Sequence, residues 1–325
     1  MKSVCIGDMK LEVPIIQGGM GVGISLGNLA GHVAKNGGMG VISTAHPGYR
    51  AEDFEKNPTE VNKRELAKEI QKAKEIAKGK GMVAINAMVA ITDYAQMVEV
   101  AIKNKIDAII SGAGLPMNLP GFVKGTKVKI APIVSSGKAA RLICKTWDRR
   151  YHVAPDFVVT EGSEAWGHLG FHKEDVLNKT TAKLADIFKE VKETLQPFVE
   201  KYQKEIPIFV AGGVYDADDI KQFMDLGADG VQMATRFICT EECDADIKYK
   251  EAFINAKKED IEIVKSPVGM PGRAIMTKLT ERLKNDERIP VKRCYNCLVP
   301  CDVKTTPYCI SSALINAAKG NLDEG

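Results

Sequence analysis

Hydrophobic residues fall along this chain in short, nearly unbroken runs, each followed by small residues and then by a stretch patterned for a helix. The runs are VPIIQGG (13–19), MGVIST (39–44), MVAINA (82–87), DAIISGAG (107–114), KIAPIVSS (129–136), DFVVTEG (156–162), IPIFVAGG (206–213) and DGVQMAT (229–235). They are continuous rather than alternating, as a strand of a parallel sheet must be when both of its faces meet apolar neighbours. The segment 58–81 between two of them puts Val61, Leu66, Ile70, Ala73 and Ala77 on one helical face, pairs Glu60 with Arg64, and stops at Gly79 and Gly81. A shorter segment, 217–230, turns Ile220, Phe223 and Leu226 inward before Gly227. Eight repeats of strand and helix predict a closed (β/α)₈ TIM barrel of the α/β class, because a doubly wound sheet generally uses fewer units.

After the eighth run the pattern changes. Residues 237–304 are richly charged and helical in pattern, with no strand expected. They read as an inserted, mainly helical cap domain with a cysteine-rich end, interrupting a barrel built from 1–236 and 305–325. Residues 306–321, TPYCISSALINAAKGN, then supply the last barrel helix.

Composition narrows the function without deciding it. With 325 residues, 45% hydrophobic and 27% charged, the chain is composed like a folded protein with a large core. Lys and Arg number 45 against 42 Asp and Glu, a balance that argues against nucleic acid as the main partner. No window is long and apolar enough for a membrane span, and the first residues lack a secretory core, so no membrane partner and a cytoplasmic location are expected. Eight cysteines would remain reduced there.

In a parallel barrel the C-terminal strand ends form one rim that carries the active site. The residues that follow the strands are QGGMG, Asn86, SGAG, SSGKAA, EGSEAWGH, AGGV and MATR. The dinucleotide fingerprint Gly-x-Gly-x-x-Gly fails in GGMGVG, because Ile24 and Leu26 stand where its last glycine would be. Glycines at a strand end still allow close backbone approach by a planar ligand, or simply a tight turn. Gly212, Gly213, Ala234 and Thr235 suit phosphate binding by the last two βα loops. Lys138 reads either as a positive charge at the rim or as a helix-surface lysine.

Taken in order, QGGMG, SGAG, EGSEAWGHLG, AGGV with GADGVQMATRF, and SPVGMPGRA resemble the FMN-dependent nitronate monooxygenases, formerly called 2-nitropropane dioxygenases. They are also similar to the related flavin-dependent enoyl-acyl-carrier-protein reductases. The resemblance spans essentially the whole chain. It implies a TIM barrel with an inserted cap and one FMN at the rim. Gly19 and Met20 would line the flavin ring, Gly167 would keep its approach open, and Asn86 would hydrogen-bond it. Lys138, Gly212, Gly213, Ala234 and Thr235 would hold the phosphate end. His168 is the implied catalytic residue, taking a proton from a substrate carbon or steadying an anion. His172 is its rival, while His32, His46 and His152 match no motif.

Three functions follow. The first is oxidation of nitronates with oxygen to a carbonyl compound and nitrite. The second is reduction of an enoyl thioester, with NAD(P)H as donor. The third, of another class, is a non-catalytic flavin-binding interaction protein. The partner is expected to be a small-molecule substrate, and a homodimer is the assembly left open. Where relatives commonly have glycine this chain has Trp166; a left-handed backbone there would load tryptophan with strain on the order of 1–3 kcal/mol and rearrange the loop. Cys294, Cys297, Cys301 and Cys309, spaced C-x₂-C-x₃-C-x₇-C, read either as ligands for zinc or an iron–sulfur cluster or as reduced structural thiols. The helix start at TPYC is expected to carry Cys309 away from the other three.

Overall fold

In the computed structural model, which describes residues 2–325, eight parallel strands close into a barrel. They are β1 (Ile15–Gln17), β2 (Met39–Ser43), β3 (Met82–Met88), β4 (Ala108–Gly112), β5 (Lys129–Val134), β6 (Val158–Glu161), β7 (Ile208–Ala211) and β8 (Gly230–Met233). Each falls on one of the eight hydrophobic runs. The ring closes where β8 pairs with β1, Val231 opposite Ile15 and Met233 opposite Gln17.

Both faces of these strands are buried, which explains the continuous apolar runs. Ile16, Met39, Val41, Met82, Ala84, Phe157, Val159 and Phe209 belong to one cluster inside the barrel. Ile6 and Leu11, from a hairpin of Val4–Ile6 with Met9–Leu11, join that cluster and plug the lower end. The alternate residues, among them Ile42, Val83, Ile85, Ile109, Val158 and Val210, pack outward against helices.

Those helices are α1 (Gly27–Lys35), α2 (Pro58–Ala77), α3 (Tyr94–Lys103), α4 (Leu119–Val123), α5 (Gly137–Tyr151), α6 (Lys173–Leu177), α7 (Leu184–Tyr202) and α8 (Ala217–Asp225). Helix α2 buries Val61, Leu66, Ile70, Ala73 and Ala77, begins under an Asn57 cap with Pro58 in its first turn, and ends at a left-handed Lys78. Helix α1 has no cap of its own, so its first amides bond elsewhere: Gly27 N–H donates to Glu69 of α2, and Leu26 and Leu29 donate to Asp244. That second carboxylate ties the segment after the barrel back onto it.

After α9 (Thr235–Ile238) come α10 (Ile247–Asn255), β9 (Ile261–Lys265), β10 (Pro271–Ile275) and α11 (Lys278–Lys284); α12 (Ile310–Ala318) ends the chain's regular structure. The expectation of no strand in 237–304 is corrected here. Strands β9 and β10 form an antiparallel hairpin, and β10 pairs with Gly167–His168, Gly272 opposite His168 and Arg273 opposite Gly167. IEIVK follows the charged run KKED, and PGRAI opens with Pro, Gly and Arg, so neither announces a strand. Their third partner lies about a hundred residues away in sequence, and that pairing completes the sheet.

Helix α1 sits on β2 without room for a side chain between them. A Cβ on Gly40 would lie 1.8 Å from the carbonyl oxygen of Ala30. Gly40→Ala is expected to cost at least about 3 kcal/mol, because backbone rather than a flexible side chain must move. Gly79→Asn, at a left-handed position with open space around it, should be nearly neutral. Denaturant unfolding of the two variants checks the contrast.

Candidate active site at the barrel mouth

The inward alternation of the strands fixes what forms the mouth. One step above the interior residues Ile16, Val41, Ala84, Ile110 and Val159 stand Gly18, Ser43, Asn86, Gly112 and Glu161. Gln232 of β8 points to the same layer, its side chain 3.3 Å from where a Cβ on Gly18 would lie. An apolar barrel therefore ends in a polar floor interrupted by glycines. Gln17 locks β1 to β2 below it, accepting from Val41 N–H at 3.1 Å and donating to Val41 O at 3.2 Å. Gly19 is held against Asn86; a Cβ there would fall 2.3 Å from the Asn86 Cβ.

His168 sits beside a cavity of about 50 Å³ whose walls also include His46, Val268, Tyr295, Cys297 and Leu298. Its Nε2 is 2.7 Å from Ser266 Oγ, and burial lowers its pKa to about 4. Ser266 Oγ also accepts from Val268 N–H at 3.2 Å, with the buried Tyr308 side chain beside it. Arg273 braces the loop leading to the histidine, donating to Ala165 O at 3.1 Å and Ser163 O at 2.9 Å. Ser266 and Arg273 come from the hairpin region and Tyr308 from the C-terminal segment.

Opposite His168 stands a second buried imidazole. His46 holds a left-handed backbone, φ 48°, with Nε2 at 2.7 Å from Ser311 Oγ and Nδ1 at 3.2 Å from Asn62 Nδ2. Desolvation takes it to a pKa of about 4 as well. Glu161, without a charged partner, is raised by burial to about 7. Burial pushes the Cys297 thiol up to about 11.

The other sequence-marked residues are spread along the rim. Gly212 and Gly213 have φ of 91° and 84°. A Cβ on Gly212 would meet Gly162 and Ala165 backbone at about 3 Å, so β7 and the His168 loop touch there. Ala234 precedes α9 and Thr235 opens it, while Lys138 is exposed at the start of α5, which Ser136 caps. None of these five lines the His168 cavity. The Met20 side chain is buried with Ile24, Leu29 and Ile238, turned into an apolar cluster beside α9 and α10. His172 is exposed ahead of α6, and neither it, His32 nor His152 reaches the cavity.

Trp166 carries no left-handed backbone; Gly167 takes that conformation, with φ 78° and open space where a Cβ would stand. The strain expected of tryptophan is absent because the turn is made one residue later. Its ring instead packs against Phe253 of α10, centroids 5.1 Å apart. Sequence reasoning missed Glu161, Gln232, Ser266, Tyr308 and His46. Alternation along the strands, had it been followed to their ends, would have given Glu161 and Gln232.

Both imidazoles are held neutral by burial, so the unfolded chain binds protons at pH values where the folded one does not. Their stabilising effect is complete above about pH 6.5 and is lost as pH falls toward 4. The melting temperature should fall across that window, and less steeply in His46→Gln, when followed by circular dichroism. A flat profile would contradict the burial.

The sequence model of one family, nitronate monooxygenase, matches residues 2–325. A probable nitronate monooxygenase of Staphylococcus saprophyticus is 33% identical over 136 residues, a stretch covering 42% of this chain and only 36% of that relative. A Mycobacterium tuberculosis protein named (3aS,4S,5R,7aS)-5-hydroxy-7a-methyl-1-oxo-octahydro-1H-indene-4-carboxyl-CoA dehydrogenase is 25% identical, covering 86% of this chain and 67% of that one. The solved structure of FabK from Thermotoga maritima superposes with a TM-score of 0.71 over 97% of this chain and 84% of its own, at 24% identity. At that identity the likeness is one of fold. Among the described residues no helix is long and apolar enough to cross a membrane.

Proposed function

Because the chain belongs to the nitronate monooxygenase family, we propose that it is an FMN-dependent oxidoreductase of the cytoplasm that converts alkyl nitronates, with oxygen, to a carbonyl compound and nitrite. The observation that carries this reading is the desolvated His168 at a small cavity beside the glycine-lined floor. The floor suits a flavin. Gln232 Oε1 is buried without a protein partner, and a ligand amide would satisfy it. Gly19, Met20, Asn86, Gly167, Glu161 and Gln232 would hold the ring. Lys138, Gly212, Gly213, Ala234 and Thr235 would hold the phosphate end, and 237–304 would act as the cap. Bound FMN supplies the two-electron redox chemistry.

The chain's own part is to bind and orient an anion. A histidine whose pKa is about 4 is a weak base, poorly suited to taking a proton from carbon. With Ser266 Oγ accepting from Val268 N–H, the tautomer that would serve is the one in which its hydroxyl donates to His168 Nε2. Nδ1 then keeps its hydrogen and can donate to a nitronate oxygen. The substrate therefore arrives already deprotonated.

Anaerobic titration of the purified yellow protein tests this. A short alkyl nitronate should bleach the flavin absorbance, whereas NADH and NADPH should not; reduction by a nicotinamide alone would favour the enoyl reductase. His168→Ala should keep FMN and lose about a hundredfold or more in kcat/KM for the nitronate. The wild-type acid limb should fall near pH 4 rather than 6.5.

A further inference from the structure

The four clustered cysteines lie where the fold can use them together. Residues 289–307 form a loop closed at its neck by Ile289 N–H donating to Pro307 O at 2.8 Å. Arg288 ties the returning strand of that loop through the carbonyl oxygens of Val303, Lys304 and Thr306. This closure leaves Cys294, Cys297 and Cys301 inside the loop and Cys309 two residues past its neck. Cys301 and Cys309 lie close enough to Cys297 to act on its charge.

The loop is also strapped onto the barrel mouth. Leu298 bridges Ile91, Thr92 N–H donates to Cys297 O at 3.1 Å, and Val299 N–H donates to Ala90 O at 2.9 Å. Tyr295 stacks on Phe54 with centroids 5.6 Å apart. Cys297 thereby becomes part of the wall of the His168 cavity.

One sulfur already carries a hydrogen bond of the kind that supports a thiolate ligand. Asn296 N–H, from a left-handed residue with φ 47°, donates to Cys294 Sγ at 3.3 Å, folding C-x₂-C into a knuckle. Such a donor to sulfur orients a ligand and tunes a bound cluster.

We propose that Cys294, Cys297, Cys301 and Cys309 bind a [4Fe–4S] cluster at the edge of the His168 cavity. Three closely spaced cysteines with a more distant fourth match iron–sulfur ligation, whereas structural zinc favours two separate pairs or added histidines. The nearest imidazole, His46, has both ring nitrogens engaged. Among the described residues no three such side chains converge ready-made on a metal. Cluster binding therefore draws the thiolates in as four protons leave, as is common where a metal completes its own site. The cluster would exchange single electrons, cycling between its 2+ and 1+ states, at the wall of the proposed redox pocket.

The test uses the full chain, purified without air and again after anaerobic incubation with equal amounts of ferrous and ferric iron and with sulfide. Iron, acid-labile sulfide and zinc are counted, and the dithionite-reduced protein is examined by low-temperature electron paramagnetic resonance. About four iron and four sulfide per chain and a reduced-cluster signal are expected. Cys294→Ser and Cys301→Ser should abolish both, while Cys5→Ser and Cys239→Ser, at exposed sites outside the loop, should retain them. A melting temperature in Cys294→Ser, whose side chain is exposed, equal to that of the iron-free wild-type chain separates cluster loss from unfolding. FMN released by acid is counted separately, so a failed flavin reading and a failed cluster are told apart. Zinc in place of iron, iron that persists in Cys301→Ser, or no metal with four freely titrating thiols overturns the proposal.

Discussion

Closure of the barrel through the β8–β1 ladder is the constraint from which the site follows. Once Val231 pairs with Ile15, every strand has a fixed inward set, and the residues at its upper end are committed to one mouth. A slip of one residue in any strand would turn its polar end group toward the helices. Glu161, Asn86 and Gln232, far apart in sequence, meet because Val159, Ala84 and Gly230 below them are locked inward. The plug of Ile6 and Leu11 seals the other end and leaves the mouth as the open face.

Above the mouth, the segment after β8 does more than cover it. The β9–β10 hairpin adds Gly167–His168 as a third strand, so the candidate catalytic residue is held by main-chain pairing as well as by Ser266. Arg273 fixes the loop just before it. The same arrangement removes water from the imidazole, and that desolvation lowers its pKa. Positioning and electrostatics thus share one cause: strands of the inserted segment packed against a barrel loop.

Glycine and tryptophan divide the work in that loop. Gly167 makes the left-handed turn and leaves open space, while Trp166 points to Phe253 and anchors α10. A bulky residue is accommodated there because the conformational demand lies at its neighbour. The cavity itself is narrowed from another direction, by Tyr295, Cys297 and Leu298 of the strapped loop.

The amino-acid order alone determined the eight strands, the helices with their own caps, and the rim on which Asn86, His168 and the glycines sit, because burial on both faces writes an unbroken apolar run into each strand. It left β9 and β10 unread: they pair with each other, and the sheet is completed on β10 by a partner about a hundred residues away. It also gave no hint that His46, His168 and Cys297 line one cavity, or that Ser266 bonds His168. Those contacts join segments separated by up to some 250 residues, and only the folded chain, by excluding water between them, turns ordinary side chains into a site.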